Sequence, residues 1–180
     1  IPVISGSSPF CETFFDDVVV PKDQIVGEVN RGWDVAKYLL GHEREMISGA
    51  GNAPQPSPGR LYATDLADEP LLRADMARFE VDAIAFEAMG EKFLDELKAG
   101  RTHPAQPNMM KYAGTELNKR RHDLMMAAGG ADLLEWEGDR SREGVRPRQW
   151  LRTRANSIEG GTSEIMLNVI ARRILDLPVD

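Results

Sequence analysis

Two glutamates stand where a carboxylate could serve as a base. Glu159 precedes Gly160, Gly161, Thr162 and Ser163 in "SIEGGTSEI". Glycines permit backbone angles closed to other residues and let a ligand approach closely. Thr162 and Ser163 are N-cap residue types, and the free N–H groups of a helix start attract anions such as a pyrophosphate. The same punctuation also serves as a plain loop-to-helix cap. Glu43 is the second candidate. It shares a helix face with Trp33, Ala36, Leu40 and Ile47, ten residues after the first and four before the last. Burying an acid among apolar side chains disfavours its ionised form and makes it a stronger base. The competing reading is an ion pair with Arg44 or with a basic residue of another helix, and ionic networks outnumber catalytic bases. Gly129 and Gly130 in "MMAAGGADLL" are equally ambiguous, since a helix C-terminus explains them. Neither a phosphate-loop nor a dinucleotide fingerprint occurs.

The elements that must position these residues are mainly helical. Residues 1–27 read as strand and turn, with "FCETFFDDVVVPKDQIVGE" alternating aromatic or β-branched clusters with turn chemistry. From Gly32 the period becomes helical. The proline-rich "NAPQPSPGRLY" ends the first helix, and a second is expected over "DEPLLRADMARFEVDAIAFEAMGEKFLDELKAG". Its apolar positions include Leu72, Met76, Phe79, Ile84, Phe86, Met89 and Phe93. A third helix covers "NMMKYAGTELNKRRHDLMMAAGG", whose charged middle, "NKRRHD", reads as a solvated face. A polar stretch, a short helix around "WLRTRANSI" and a final helix from Ser163 to about Leu175 complete the chain. The expected fold is a four-helix up-and-down bundle (residues 28–180) preceded by a short β segment (residues 1–27) left from a truncated β domain.

Composition narrows the function. With 22 basic and 29 acidic residues the formal charge is −7, which disfavours nucleic acid as a partner. No apolar run reaches the roughly 18–20 residues of a membrane span. The lone Cys11 excludes an internal disulfide framework, and His42, His103 and His122 lack metal-ligand spacing. No metal is expected, and the cytosol or a similar reducing space is the expected compartment.

Two stretches carry a family resemblance. "FFDDVVVPKDQIVGEVNRGWDVAKYLLGHER" resembles the junction of the middle β domain and C-terminal helical domain of acyl-CoA dehydrogenases. "NSIEGGTSEIMLNVIARRILDLP" is similar to that family's C-terminal signature. The resemblance implies an FAD enzyme that removes the α-proton of an acyl-CoA thioester while flavin takes the β-hydride. Electrons would pass to an electron-transferring flavoprotein, and the bundle would build a homo- or hetero-oligomer. Medium-chain members place the base two residues before the motif's Thr. Counting back from Thr162 puts Gly160 there and Glu159 one position earlier. Long-chain and isovaleryl members instead use a Glu just before an Arg on the first bundle helix, which Glu43 and Arg44 match. The resemblance thus implies Glu43 as catalytic base and Gly129, Gly130, Thr162 and Glu164 as flavin contacts.

Departures bear on this reading. Met126 replaces the Gln that usually precedes the glycine pair, and Arg60 is a weak counterpart of an Arg-x-x-Phe-Gly element. The family's N-terminal helical domain and most of its β domain have no counterpart in this sequence. The expectation is therefore a C-terminal portion of a longer enzyme, one that binds flavin poorly by itself. A non-catalytic helical module, acting as partner subunit of a flavoenzyme complex, is the alternative. A relative using the same bundle for oxidase or monooxygenase chemistry is a third reading.

Overall fold

The computed structural model describes residues 1–49 and 69–178, with the side chains of 44–49 left aside. Five α-helices are described: α1 (Gly32–Gly49), α2 (Pro70–Lys98), α3 (Gln106–Gly129), α4 (Val145–Thr153) and α5 (Ser163–Arg173). The mainly helical fold agrees with expectation. Helix α2 starts at a proline, which suits a first turn whose N–H groups have no acceptor. Helix α5 starts at Thr162, whose hydroxyl accepts from the Ile165 N–H at 3.3 Å. Glu164 lies in its first turn and Arg172 and Arg173 in its last, each matching the helix dipole.

Helix α3 is the hub. It packs against α1, α2, α4 and α5, and its Met110, Leu124, Met125 and Ala128 are all buried. Helix α2 lays one stripe against it: Met76, Phe79, Ala83, Phe86, Gly90 and Phe93, buried or half-buried, recur in alternating steps of three and four. Ile84, expected on this face, is 65% exposed. It stands off the stripe because a single residue turns the helix by roughly 100°. Arg120 of α3 completes the contact by pairing with Asp82 and lying 6.0 Å from the Phe79 ring centre.

Four further expectations need correction. The terminal strands expected in residues 1–27 do not form. Among the described residues there is no strand, and Val18, Val19 and Val20 are exposed. A strand needs a neighbouring edge for its N–H and C=O groups, and no described residues offer one. The segment instead holds a tight turn, with the Val3 N–H donating to the Ser7 carbonyl at 2.8 Å, and a 3₁₀ turn at Lys22–Gln24. Secondly, "NKRRHD" is not a solvated face: Arg121 is buried and Asn118, Lys119, Arg120 and His122 are half-buried. A helix ringed by four others has no wholly free side. Thirdly, the apolar stripe of α1 is poorly covered, with Trp33 68% exposed. The short helix also begins earlier than expected, at Val145 rather than near Trp150, and gives way to a 3₁₀ turn over Arg154–Ser157.

If the α2–α3 seam carries stability, Phe79→Ala should cost about 3–5 kcal/mol in denaturant unfolding. Ile84→Ala should cost no more than about 0.5 kcal/mol. Equal costs would place the seam on the wrong face.

Candidate functional site

The segment from Arg154 to Ser163 carries the glycine turn, and α3 holds it in place. Lys111, itself buried, donates through Nζ to the carbonyls of Asn156 at 3.0 Å and Gly161 at 2.6 Å. Burial holds its ammonium below the ordinary lysine value, opposed by the negative charges of Glu116, Glu159 and Glu164. One helical turn on, Glu116 accepts from Lys119 at 2.9 Å, Ser157 at 3.0 Å and Ser163 at 2.8 Å. Burial works against the Glu116 carboxylate, but the bonds from Lys119, Ser163 and Ser157 outweigh it and hold the carboxyl below the usual range. Asn118 donates to the Asn156 side chain at 2.9 Å. Lys111, Thr115, Asn118 and His122 step along α3 by four, three and four residues, one face of a helix. Of these only Lys111 and Asn118 reach the distant segment, so the spacing by itself did not mark Glu116 or Lys119.

This clamp fixes Gly160 and Gly161, which sit at φ +64° and +100°. Other residues rarely adopt such angles, so the turn into α5 depends on the glycine pair. A Cβ on Gly161 would also meet the Met166 methyl at 2.5 Å. Thr162 is half-buried at the helix start, while Glu164 is exposed. The Glu164 carboxyl is held below its ordinary value by its own backbone N–H and by the Thr162 hydroxyl.

Glu159 is occupied. Arg152 grips it with two nitrogens at 3.1 and 2.7 Å, and the Asn156 amide adds a bond at 2.6 Å. The Arg152 contact, chiefly, holds the Glu159 carboxyl below the usual range. A carboxylate so stabilised is a poor proton acceptor.

The other candidates lie apart from this network. Glu43 stands exposed on α1. Gly129 and Gly130 are at the far end of α3, where Gly130 at φ +58° ends the helix. A Cβ on Gly129 would lie 2.1 Å from a Leu133 methyl, so the Leu133 side chain would have to move for any larger residue there. Met126 beside them is half-buried. Arg60 and the proline-rich stretch fall outside the described residues. Among the described residues no group of three or more metal-binding side chains gathers, and no helix is long and apolar enough to cross a membrane.

Residues 60–175 match the family described as acyl-CoA dehydrogenase, C-terminal domain. The chain belongs to the acyl-CoA dehydrogenase family. It is 29% identical over 177 residues to the acyl-CoA dehydrogenase FadE34 of Mycobacterium tuberculosis, covering 97% of this chain and 24% of that protein. It is 30% identical over 196 residues to IpdE1 of the same organism, covering 97% and 46%. Among solved structures it is similar in fold to the Tcur3481-Tcur3483 steroid ACAD, with a TM-score of 0.75 and 22% identity over 93% of this chain and 45% of that one. The ChsE4-ChsE5 complex from Mycobacterium tuberculosis shares the fold at a TM-score of 0.66 and 20% identity, over 93% of this chain and 46% of that one. The chain thus spans less than half the length of these relatives.

Replacing Lys111 by Met would strip two carbonyls of their donor, and a loss of about 1–3 kcal/mol is expected in denaturant unfolding. A loss below that range would show that the turn holds without the clamp. The lowered carboxyls give a second expectation. Glu116 and Glu159 stabilise the fold fully above their ordinary unfolded value, and that stability is lost as pH falls through their lowered folded values. Acid titration of stability should therefore flatten in the Glu116→Gln/Glu159→Gln variant relative to wild type.

Proposed function

We propose that this chain supplies the C-terminal helical part of an FAD-dependent acyl-CoA dehydrogenase, with Glu43 as the base that removes the α-proton. On this reading residues 28–180 are the helical domain and residues 1–27 the end of a β domain. Family membership supports the reaction class. The observation that carries the choice of base is the Arg152–Glu159 pair, which leaves the acid beside the glycine turn already engaged.

The residues at the start of α5 suit a flavin. The Gly160–Gly161 turn brings backbone close to the surface, Thr162 offers a hydroxyl, and the first turn of α5 offers the positive end of a helix. The glycine pair after α3 suits it less well, because packing against Leu133 already accounts for Gly129. A bound FAD supplies the hydride acceptor. The chain's own share is to hold Thr162 and Glu164 in register through Lys111 and Glu116, and to present Glu43 to the substrate. Glu43 is exposed in this chain, so an acyl group must close over α1 to exclude water from the proton transfer. The weakly covered stripe around Trp33 is a surface against which a thioester chain or a second subunit can close.

The same exposure of α1, with Met126 beside the second glycine pair, favours one other reading: a partner subunit that completes an oligomer without a cofactor of its own. Electron-transferring flavoprotein as acceptor belongs to the first reading only.

The two readings separate by experiment in the assembled enzyme. Flavin absorbance that bleaches on adding an acyl-CoA is expected, and Glu43→Gln should slow bleaching by about 10²–10⁴-fold. Glu159→Gln should leave it within a few-fold of wild type. A dead Glu159→Gln enzyme would overturn the choice of base, and an assembly without flavin would favour the partner subunit.

A further inference from the structure

The turn before α5 is held from α3 by Lys111 and Glu116, and from α4 by Arg152 acting through Glu159. One half-buried residue, Asn156, joins the two holds. Its carbonyl accepts from Lys111 Nζ at 3.0 Å, and its side-chain Oδ1 accepts from the Asn118 amide at 2.9 Å. Its Nδ2 donates to Glu159 Oε1 at 2.6 Å, the same oxygen that takes one Arg152 nitrogen at 3.1 Å. The Lys111 ammonium also bonds the Gly161 carbonyl, so both ends of the segment from Asn156 to Gly161 are tied at a single atom.

Chemistry allows this arrangement one orientation. An ionised carboxylate only accepts, so the amide atom facing Glu159 must be nitrogen, which leaves the oxygen for Asn118. An aspartate has the same shape as asparagine but cannot donate while ionised. Gly160 follows Glu159 directly, so whatever fixes Glu159 fixes the entry to the left-handed glycine pair.

We propose that Asn156 is a positioning residue for the cofactor face of this chain, an inference that rests on reading Gly160, Gly161 and Thr162 as flavin-facing. Asn156 couples the Arg152–Glu159 pair of α4 to α3, so that the glycine turn and the Thr162 hydroxyl are presented in one fixed geometry. Glu159 thereby has a task other than proton transfer, which is to relay the hold of α4 to the turn. Neither Asn156 nor Glu159 needs to touch the cofactor. Glu159→Gln keeps an oxygen for the Asn156 amide, whereas Asn156→Asp sets a second carboxylate against Glu159 at hydrogen-bond distance. Two such groups cannot both stay ionised without cost, and one shared proton restores a bond between them. Arg152 and Lys111 are the cations acting on Glu159, and both are already engaged in the wild type, so neither is spare for a second carboxylate.

Amide hydrogen exchange of residues 160–165 in the full chain tests the coupling without a cofactor. At about pH 8, Asn156→Asp should speed exchange about ten- to a hundredfold relative to wild type, the value of one hydrogen bond to a charged group. At about pH 5 the excess should shrink as the shared proton binds. Asn168→Asp, which adds the same charge at an exposed position of α5, should match wild type at both. Asn118→Ala removes only the donor to Asn156 Oδ1; it should speed the same amides by a smaller factor, and it carries the test if Asn156→Asp does not fold. In the assembled enzyme, Asn156→Asp should weaken FAD binding about tenfold with the same recovery in acid, because a displaced Thr162 forfeits one hydrogen bond. Glu159→Gln should leave FAD binding within a few-fold of wild type. Exchange that matches wild type at both pH values, or FAD affinity unchanged in an enzyme that binds it, would overturn the positioning role. Faster exchange in Asn156→Asp beside a wild-type assembly without flavin would overturn the dehydrogenase reading instead, and leave the coupling standing.

Discussion

A buried ammonium group must find acceptors, and in this chain Lys111 finds them in the backbone of a segment about fifty residues away. Everything at the candidate site follows from that requirement. The Asn156 and Gly161 carbonyls are pinned to α3, Glu116 draws Ser157 and Ser163 to the same helix, and the glycine turn between them has little room to move. The first turn of α5 is thereby aimed by α3 as well as by its own glycine pair and Thr162 cap. A change on α3, remote in sequence from the signature, would act on it directly.

Much of the fold was legible because helical periodicity and punctuation are local. The starts of α1 and α5 and the breaks between α2 and α3 lie where glycine, proline and capping residues put them. The α2 stripe was only half legible, because Ala83 and Gly90 complete it and neither looks like a core residue in isolation. Ile84 misled for the converse reason, being large and apolar on the wrong side. The charged middle of α3 was misread because charge alone does not say whether water or a partner satisfies it. Glu116 is satisfied by Ser157 and Ser163, some forty residues along the chain, and such contacts leave no trace in a short window.

The site divides along the same line. Counting along one short motif separated Glu159 from the position where medium-chain members carry a base, and the Arg152 pair shows Glu159 engaged in other work. The roles of Lys111 and Glu116 needed the third dimension. So did the gathering of arginines from α3 and α4, since "VRPRQWLRTR" by itself reads as scattered charge on a short helix. Several of those arginines have acids of their own, Arg152 in Glu159 and Arg154 in Asp123.

One contact spans a great distance along the chain. The bond from Arg148 to the Ser5 carbonyl joins residues 143 apart, whereas α2 and α3 meet across a short connection. Closing so long a loop costs chain entropy that a single hydrogen bond recovers only in part. The N-terminal segment should accordingly be the last element to dock during folding and the first to lift. The segment can then undock locally while the helices beneath remain assembled.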